Sequence, residues 1–195
     1  MTYRAPARKP SAENCATIIP VEMNSSKASI GVRGPGAATA GEFVIRRARA
    51  GEAALLTELS LRSKAIWNYD PKFLAKCRSV MTVKTANIEL LPHYVAQLDD
   101  AVVGFYGFEP EPDGVGLDYM FVEPDQIGRG VGRALWNHAV ALARQLGHGA
   151  LIVVSDPNAE GFYLKMGARR IGTRPSELEP GRSLPLLSYQ LTPDT

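Results

Sequence analysis

Between an apolar run ending Phe121-Val122 and an amphipathic helix lies the stretch Pro124-Asp125-Gln126-Ile127-Gly128-Arg129-Gly130-Val131-Gly132-Arg133-Ala134-Leu135. Its residue types suit binding of a phosphate. Without a β-carbon, Gly128, Gly130 and Gly132 reach backbone angles that other residues avoid and let a ligand approach the main chain. The unpaired amides of the helix's first turn then face the anion, backed by a dipole of roughly half a positive charge. Arg129 and Arg133 add cations beside them. Val131, Leu135, His138, Leu142 and Leu146 form the expected apolar stripe of this helix, and Gly147 ends it.

The other phosphate-loop chemistries fit less well. A dinucleotide loop counted from Gly128 needs its last glycine where Arg133 stands, and a triphosphatase loop needs Gly-Lys-Ser/Thr, which is absent. The pair Gly130-x-Gly132 entering a helix resembles the pyrophosphate loop of the GNAT acetyltransferase superfamily, Gln/Arg-x-x-Gly-x-Gly/Ala. Ile127 stands where that pattern has Gln or Arg, and Gln126 lies one residue early. A second stretch, Ser155 to Ala168, resembles the family's closing segment Asn-x-x-Ala-x-x-x-Tyr-x-x-x-Gly-Phe. Ala159, Tyr163 and Gly167 keep its spacing, Asp156 takes the place of the Asn, and Asn158 follows two residues later.

The resemblance implies an acetyl-coenzyme A-dependent N-acetyltransferase. Its cofactor would be held by the backbone at Phe121 and Val122 and by the loop Ile127, Gly128, Arg129, Gly130, Val131, Gly132 and Arg133. Either Asp156 or Asn158, together with Tyr163, would meet its other end. An acetyl transfer to an amine needs a base, since a free amine is mostly protonated at neutral pH, and a proton donor for the departing sulfur. Tyr163 is the expected donor, because the family places this phenol beside the sulfur; Asp118, on the strand leading to the loop, is the candidate base. On an undistorted strand Asp118, Met120 and Val122 would share a face; a bulge, common here in the family, would instead turn Tyr119 inward. Acceptor contacts are expected from Lys64, Trp67 and Tyr69, and from a late loop in which Arg174, Ser176 and Arg182 are suited to grip a carboxylate. The acceptor is expected to be a small amine or an amino-acid-like molecule. A non-catalytic acyl-coenzyme A sensor of the same fold is the alternative.

These groups need a scaffold. Glu42 to Ala48 alternates like a half-buried strand, and a helix holding Leu55, Leu59 and Ile66 follows. Pro71 opens a second helix with Phe73, Leu74 and Cys77. Tyr94 to Leu98 and Val102 to Phe108, joined across Asp99-Asp100, read as a hairpin, with Val115 to Val122 as its third strand. Ala150 to Val154 is unbroken and apolar, as in a sheet interior, and Leu184 to Leu191 ends the sheet. The fold class is therefore α/β. The family resemblance makes it a mixed, mostly antiparallel central sheet with helices on both faces and a central parallel pair splayed at the cofactor cleft.

The chain has 195 residues, 22 basic and 20 acidic, for a net charge of +2, which gives no electrostatic case for nucleic acid. No stretch reaches the roughly 20 apolar residues of a membrane span. No metal is expected: Cys15 and Cys77 are far apart, and His93, His138 and His148 lack ligand spacing. Residues 1–41, rich in Pro, Gly, Ser and Ala, read as a flexible extension or a misplaced start, with the acetyltransferase domain over 42–195. Ala16-Thr17-Ile18-Ile19 is too short for a signal-peptide core, so the cytoplasm is the expected compartment. The family resemblance leaves a homodimer open.

Overall fold

The computed structural model describes residues 43–191; the expected extension over 1–41 lies outside the described residues, as does Cys15. Strands β1 (Phe43–Arg47), β2 (His93–Leu98), β3 (Ala101–Glu111) and β4 (Gly114–Val122) are successive antiparallel neighbours. Asp99, at φ 52°, lets the β2–β3 link turn within two residues. β5 (Ala150–Val154) runs parallel to β4, and β7 (Ser183–Gln190) inserts between β5 and β6 (Arg169–Pro175). The seven-stranded order is β1-β2-β3-β4-β5-β7-β6, in which β4–β5 is the parallel pair. The expected mixed sheet is thus present.

Helices α1 (Ala53–Ala65), α2 (Pro71–Met81) and α3 (Thr85–Leu90) connect β1 to β2. α4 (Val131–Gln145) crosses over from β4 to β5, and α5 (Glu160–Lys165) precedes β6. Pro71 stands in the first turn of α2, and the Asp70 side chain caps that turn by accepting from Lys72 N at 2.8 Å. Gly147, at φ 80°, closes α4. Among the described residues, no helix is long and apolar enough to cross a membrane.

Each face of the sheet has its own core. α4 packs Val131, Leu135, Trp136, Ala139, Val140 and Ala143 on Tyr106, Phe108, Leu117, Leu151 and Leu187. On the opposite face, Leu56 and Leu59 of α1 and Ile88 of α3 meet Val95, Phe105 and Tyr119. Leu59, Val131 and Leu135 are buried as expected, but other members of each expected stripe are not. Leu146 and Ile66 are the C-caps of their helices and stay exposed, as does Leu55, while Leu56 is fully buried. On α4 the sheet is met by a Trp136–Ala139–Val140–Ala143 line, whose alanines admit close approach, and Leu142 is only partly covered.

Two irregularities shape the site. β4 and β5 pair only where Val115–Leu117 faces Leu151–Val153; beyond that the strands part and the β5-side edge of β4 is open as far as Val122. The β3–β4 register also shifts, with Phe108 opposite Leu117 and Gly107 opposite Tyr119, so that Asp118 is the extra residue of a bulge. The bulge swaps faces: Leu117 points to α4, whereas Tyr119 and Phe121 point to α1. Asp118 therefore does not share a face with Met120 and Val122 in simple alternation.

Candidate active site

Where β4 and β5 part, a cleft of about 1820 Å³ opens, lined by the glycine loop, α5, the end of α1 and the β6–β7 loop. That exceeds the usual few hundred to 1,000 Å³ of a small-ligand pocket and leaves room for a long carrier and an acceptor together. Gly128 and Gly130 have φ of 83° and 90°, with no atom within 4 Å of where a β-carbon would stand. Gly130 is the N-cap of α4 and supplies no side chain to its first-turn amides. Ile127, Arg129 and Arg133 are exposed around the same opening. This bare, cation-flanked corner fits a diphosphate. Gly132 differs: its φ is ordinary, and a β-carbon there would make normal contacts with Phe162 and Val122 at 3.6–3.7 Å.

Tyr163 lies on α5 at the far side of the opening. Its ring packs on Trp136 and Phe162, with centroids 5.6 and 5.2 Å away. Burial, then the nearby Asp156 charge, pushes the phenol well above its ordinary pKa, so it holds its proton at neutral pH.

On the cleft floor the bulge brings Asp118 close to Glu109 of β3, an acid that the sequence reading overlooked. Gly116 makes room for it: a β-carbon there would stand 2.7 Å from Glu109 Cγ. Burial, then Asp118 and Glu111, push Glu109 up to about 7. Asp118 is open to water through the cleft mouth yet surrounded by protein, and this desolvation pushes it up to about 6, with the Tyr119 hydroxyl pulling the other way. Neighbouring acids with raised pKa values in a cleft are suited to proton transfer. In sequence, Glu109 is one acid at the end of an apolar run, and its place opposite Gly116 follows from a strand register that no local signal announces.

Of the expected acceptor contacts, Lys64, Tyr69 and Arg182 meet. Lys64, at the end of α1, is ion-paired with Asp156, with side-chain exposures of 14% and 13%. The Tyr69 hydroxyl donates to the Asp156 carboxylate at 2.9 Å and accepts from Asn158 Nδ2 at 2.9 Å and Arg182 Nη2 at 3.1 Å. Asn158 N adds a bond to Asp156 at 2.8 Å. Burial pushes the Asp156 carboxyl up, but the Lys64, Asn158 and Tyr69 hydrogen bonds outweigh it and hold it below the carboxylate range. The Asn158 side chain thus reaches Tyr69 through Nδ2. Trp67 stands apart, exposed at the cleft mouth. Arg174 pairs with Glu111 at 2.7 Å, and Ser176 Oγ accepts from Leu178 N at 3.2 Å. Among the described residues, no group of His, Cys, Asp and Glu is placed to hold a metal.

The sequence model of the acetyltransferase (GNAT) family matches residues 61–168, more than half of the chain. The chain belongs to the GNAT family. The matched region takes in the end of α1, the bulged strand, the glycine loop and Tyr163. The chain is 37% identical over 101 residues to the peptidyl-lysine N-acetyltransferase YjaB of Salmonella typhimurium, covering 50% of this chain and 63% of that relative. A GCN5-related N-acetyltransferase from Rhodopseudomonas palustris has the same fold, with TM-score 0.66, 21% identity and coverage of 80% of this chain and all of that one. The putative acetyltransferase yncA of Salmonella typhimurium, solved with acetyl-CoA, superposes with TM-score 0.56 at 21% identity over 80% of this chain and 97% of its own.

Proposed function

We propose that the chain is an acetyl-coenzyme A-dependent N-acetyltransferase acting on the primary amine of a small or amino-acid-like acceptor. The observation that carries this is one cleft joining an open diphosphate corner, a protonated buried phenol and a pair of raised-pKa acids. The bound cofactor supplies an activated acetyl thioester. First-turn amides from Gly130 to Arg133 hold its diphosphate, and the open edge of β4 at Phe121 and Val122 pairs with its extended arm like an added strand. Glu109 and Asp118 attract the acceptor's ammonium and take its proton, the acid with pKa near 7 being well matched to that task. Tyr163 Oη holds the proton required at the sulfur.

The relative's activity favours a second reading, in which the amine is a lysine side chain of a protein. Free-thiol release from acetyl-coenzyme A, measured with a panel of amines, amino acids and lysyl peptides, tests the proposal. Amine-dependent release supports an enzyme. Thermal stabilisation by coenzyme A with no release from any acceptor would identify the non-catalytic sensor instead.

A further inference from the structure

The acceptor half of the cleft is bipolar. Its sheet floor carries Glu109 and Asp118, neither within ion-pairing distance of a cation among the described residues. The same cleft is also lined by Lys64 and Arg182, which lie on one aromatic pair, the Tyr69 and Phe73 rings, whose centroids are 4.9 Å apart. Lys64 Nζ lies 4.9 and 5.9 Å from these ring centres, and Arg182 Cζ lies 5.2 and 4.6 Å from them. Both cations keep donors to spare. Lys64 makes one hydrogen bond, to Asp156; Arg182 uses Nη1 on Glu179 and Nη2 on Tyr69, with Nε unengaged by the described residues.

The two anions beside these cations are not equivalent. Asp156 is fastened by Lys64, Tyr69 and the Asn158 amide. Glu179 is 41% exposed, sits three residues from Arg182 in the same loop, and has Arg182 as its one ion-pairing or hydrogen-bonding side-chain partner among the described residues. A carboxylate entering the cleft then meets a planar guanidinium able to grip two oxygens, over aromatic faces that fix the guanidinium's plane. The Tyr69 hydroxyl ties the α1–α2 loop to the β6–β7 loop, so Arg182 is held in place before a ligand arrives.

The geometry points to an acceptor that carries both an amine and a carboxylate, an amino acid or amino-carboxylic acid, with its amine at Glu109 and Asp118 and its carboxylate on Arg182 beside Lys64. This rests on the acetyltransferase reading above and narrows its substrate class.

The test uses matched acceptors that differ only by the carboxylate: phenylalanine against phenethylamine, leucine against isoamylamine, and lysine against cadaverine. A lysyl peptide blocked at both ends is added. Thiol release is followed for the wild type, Arg182→Gln and Arg182→Lys. At least one pair is expected to show kcat/KM tenfold or more higher for the carboxylated member, carried by KM. Arg182→Gln is expected to reduce that ratio at least tenfold, and Arg182→Lys to keep an intermediate ratio. A purely structural role for Arg182 would lower both members alike and leave the ratio intact. Equal use of both members of every pair, preference for the decarboxylated amine, preference for the blocked peptide, or an unchanged ratio in Arg182→Gln overturns the inference while leaving the acetyltransferase reading standing. No release with any amine overturns both.

Discussion

At the residue scale, Glu109 and Asp118 make the sharpest claims. A base is active when deprotonated, so kcat/KM is expected to rise with pH through about 6 to 7, following the raised values of Asp118 and Glu109, with the apparent pKa values belonging to the pair. Glu109→Gln is expected to cost roughly 100-fold or more in kcat/KM. The same substitution has the opposite effect on stability. A carboxyl whose pKa is raised by folding favours the native state at low pH, and that benefit is lost as pH rises from its unfolded value through about 7. Glu109→Gln is therefore expected to match the wild type in Tm near pH 4 and to exceed it at pH 8, as scanning calorimetry would show. Tyr163→Phe keeps the packing on Trp136 and removes the proton donor, for a loss in kcat of about 10- to 100-fold without loss of fold. The glycines separate likewise. Gly130→Ala is expected to destabilise the free protein by roughly 1–2 kcal/mol, because its φ of 90° is strained for a residue with a β-carbon. Gly132→Ala is expected to be neutral or stabilising by urea denaturation, since the space is there and alanine favours the helix. Sequence alone made these glycines alike. Local spacing revealed a loop and a phenol, but which glycine needs its backbone angle emerges only from the corner as folded.

At the element scale, the site depends on pairings between distant segments. Lys64 and Asp156 are 92 residues apart, and no local pattern announces their meeting; Asp156 stood out in the sequence only as the residue in place of an Asn. Lys64→Met leaves a largely buried carboxylate unpaired and is expected to cost about 3 kcal/mol. Adding Asp156→Asn removes that stranded charge, so the double variant is expected to be more stable than Lys64→Met alone, with a coupling of about 1–3 kcal/mol in urea denaturation. Equal stability of the single and double variants would show that the pair does not matter to the fold. The strands and the main helices were legible because alternation and Gly/Pro punctuation are local. The helical faces were less so: Leu55, Ile66 and Leu146 continue an apolar period on paper, yet the caps carry two of them past the sheet and the third turns to solvent. Glu109 was hidden for a related reason. Its nearness to Asp118 follows from a β-bulge, and a one-residue shift of register is not written in either strand.

At the scale of the whole molecule, the parting of β4 from β5 organises everything else. It frees a strand edge beside the N-terminus of α4, and it lets α1, α2 and the β6–β7 loop close around the remaining opening. Open α/β sheets place ligands at such points. Because that cleft is formed by the folded chain alone, coenzyme A at about 100 times its dissociation constant is expected to stabilise the protein by roughly 2.7 kcal/mol in thermal melts, and NAD is expected to have no such effect. The fold class was legible from sequence through the family resemblance; the linkage of Lys64, Tyr69, Asp156 and Arg182 was not, because these residues come from segments distant in the chain. A crystal structure of the coenzyme A complex tests the central claim most directly. The account predicts the diphosphate on the amides at Gly130 to Arg133 and the sulfur within hydrogen-bond reach of Tyr163 Oη, with Glu109 and Asp118 facing the same space. A diphosphate seated away from that corner, or a sulfur remote from Tyr163, would contradict it.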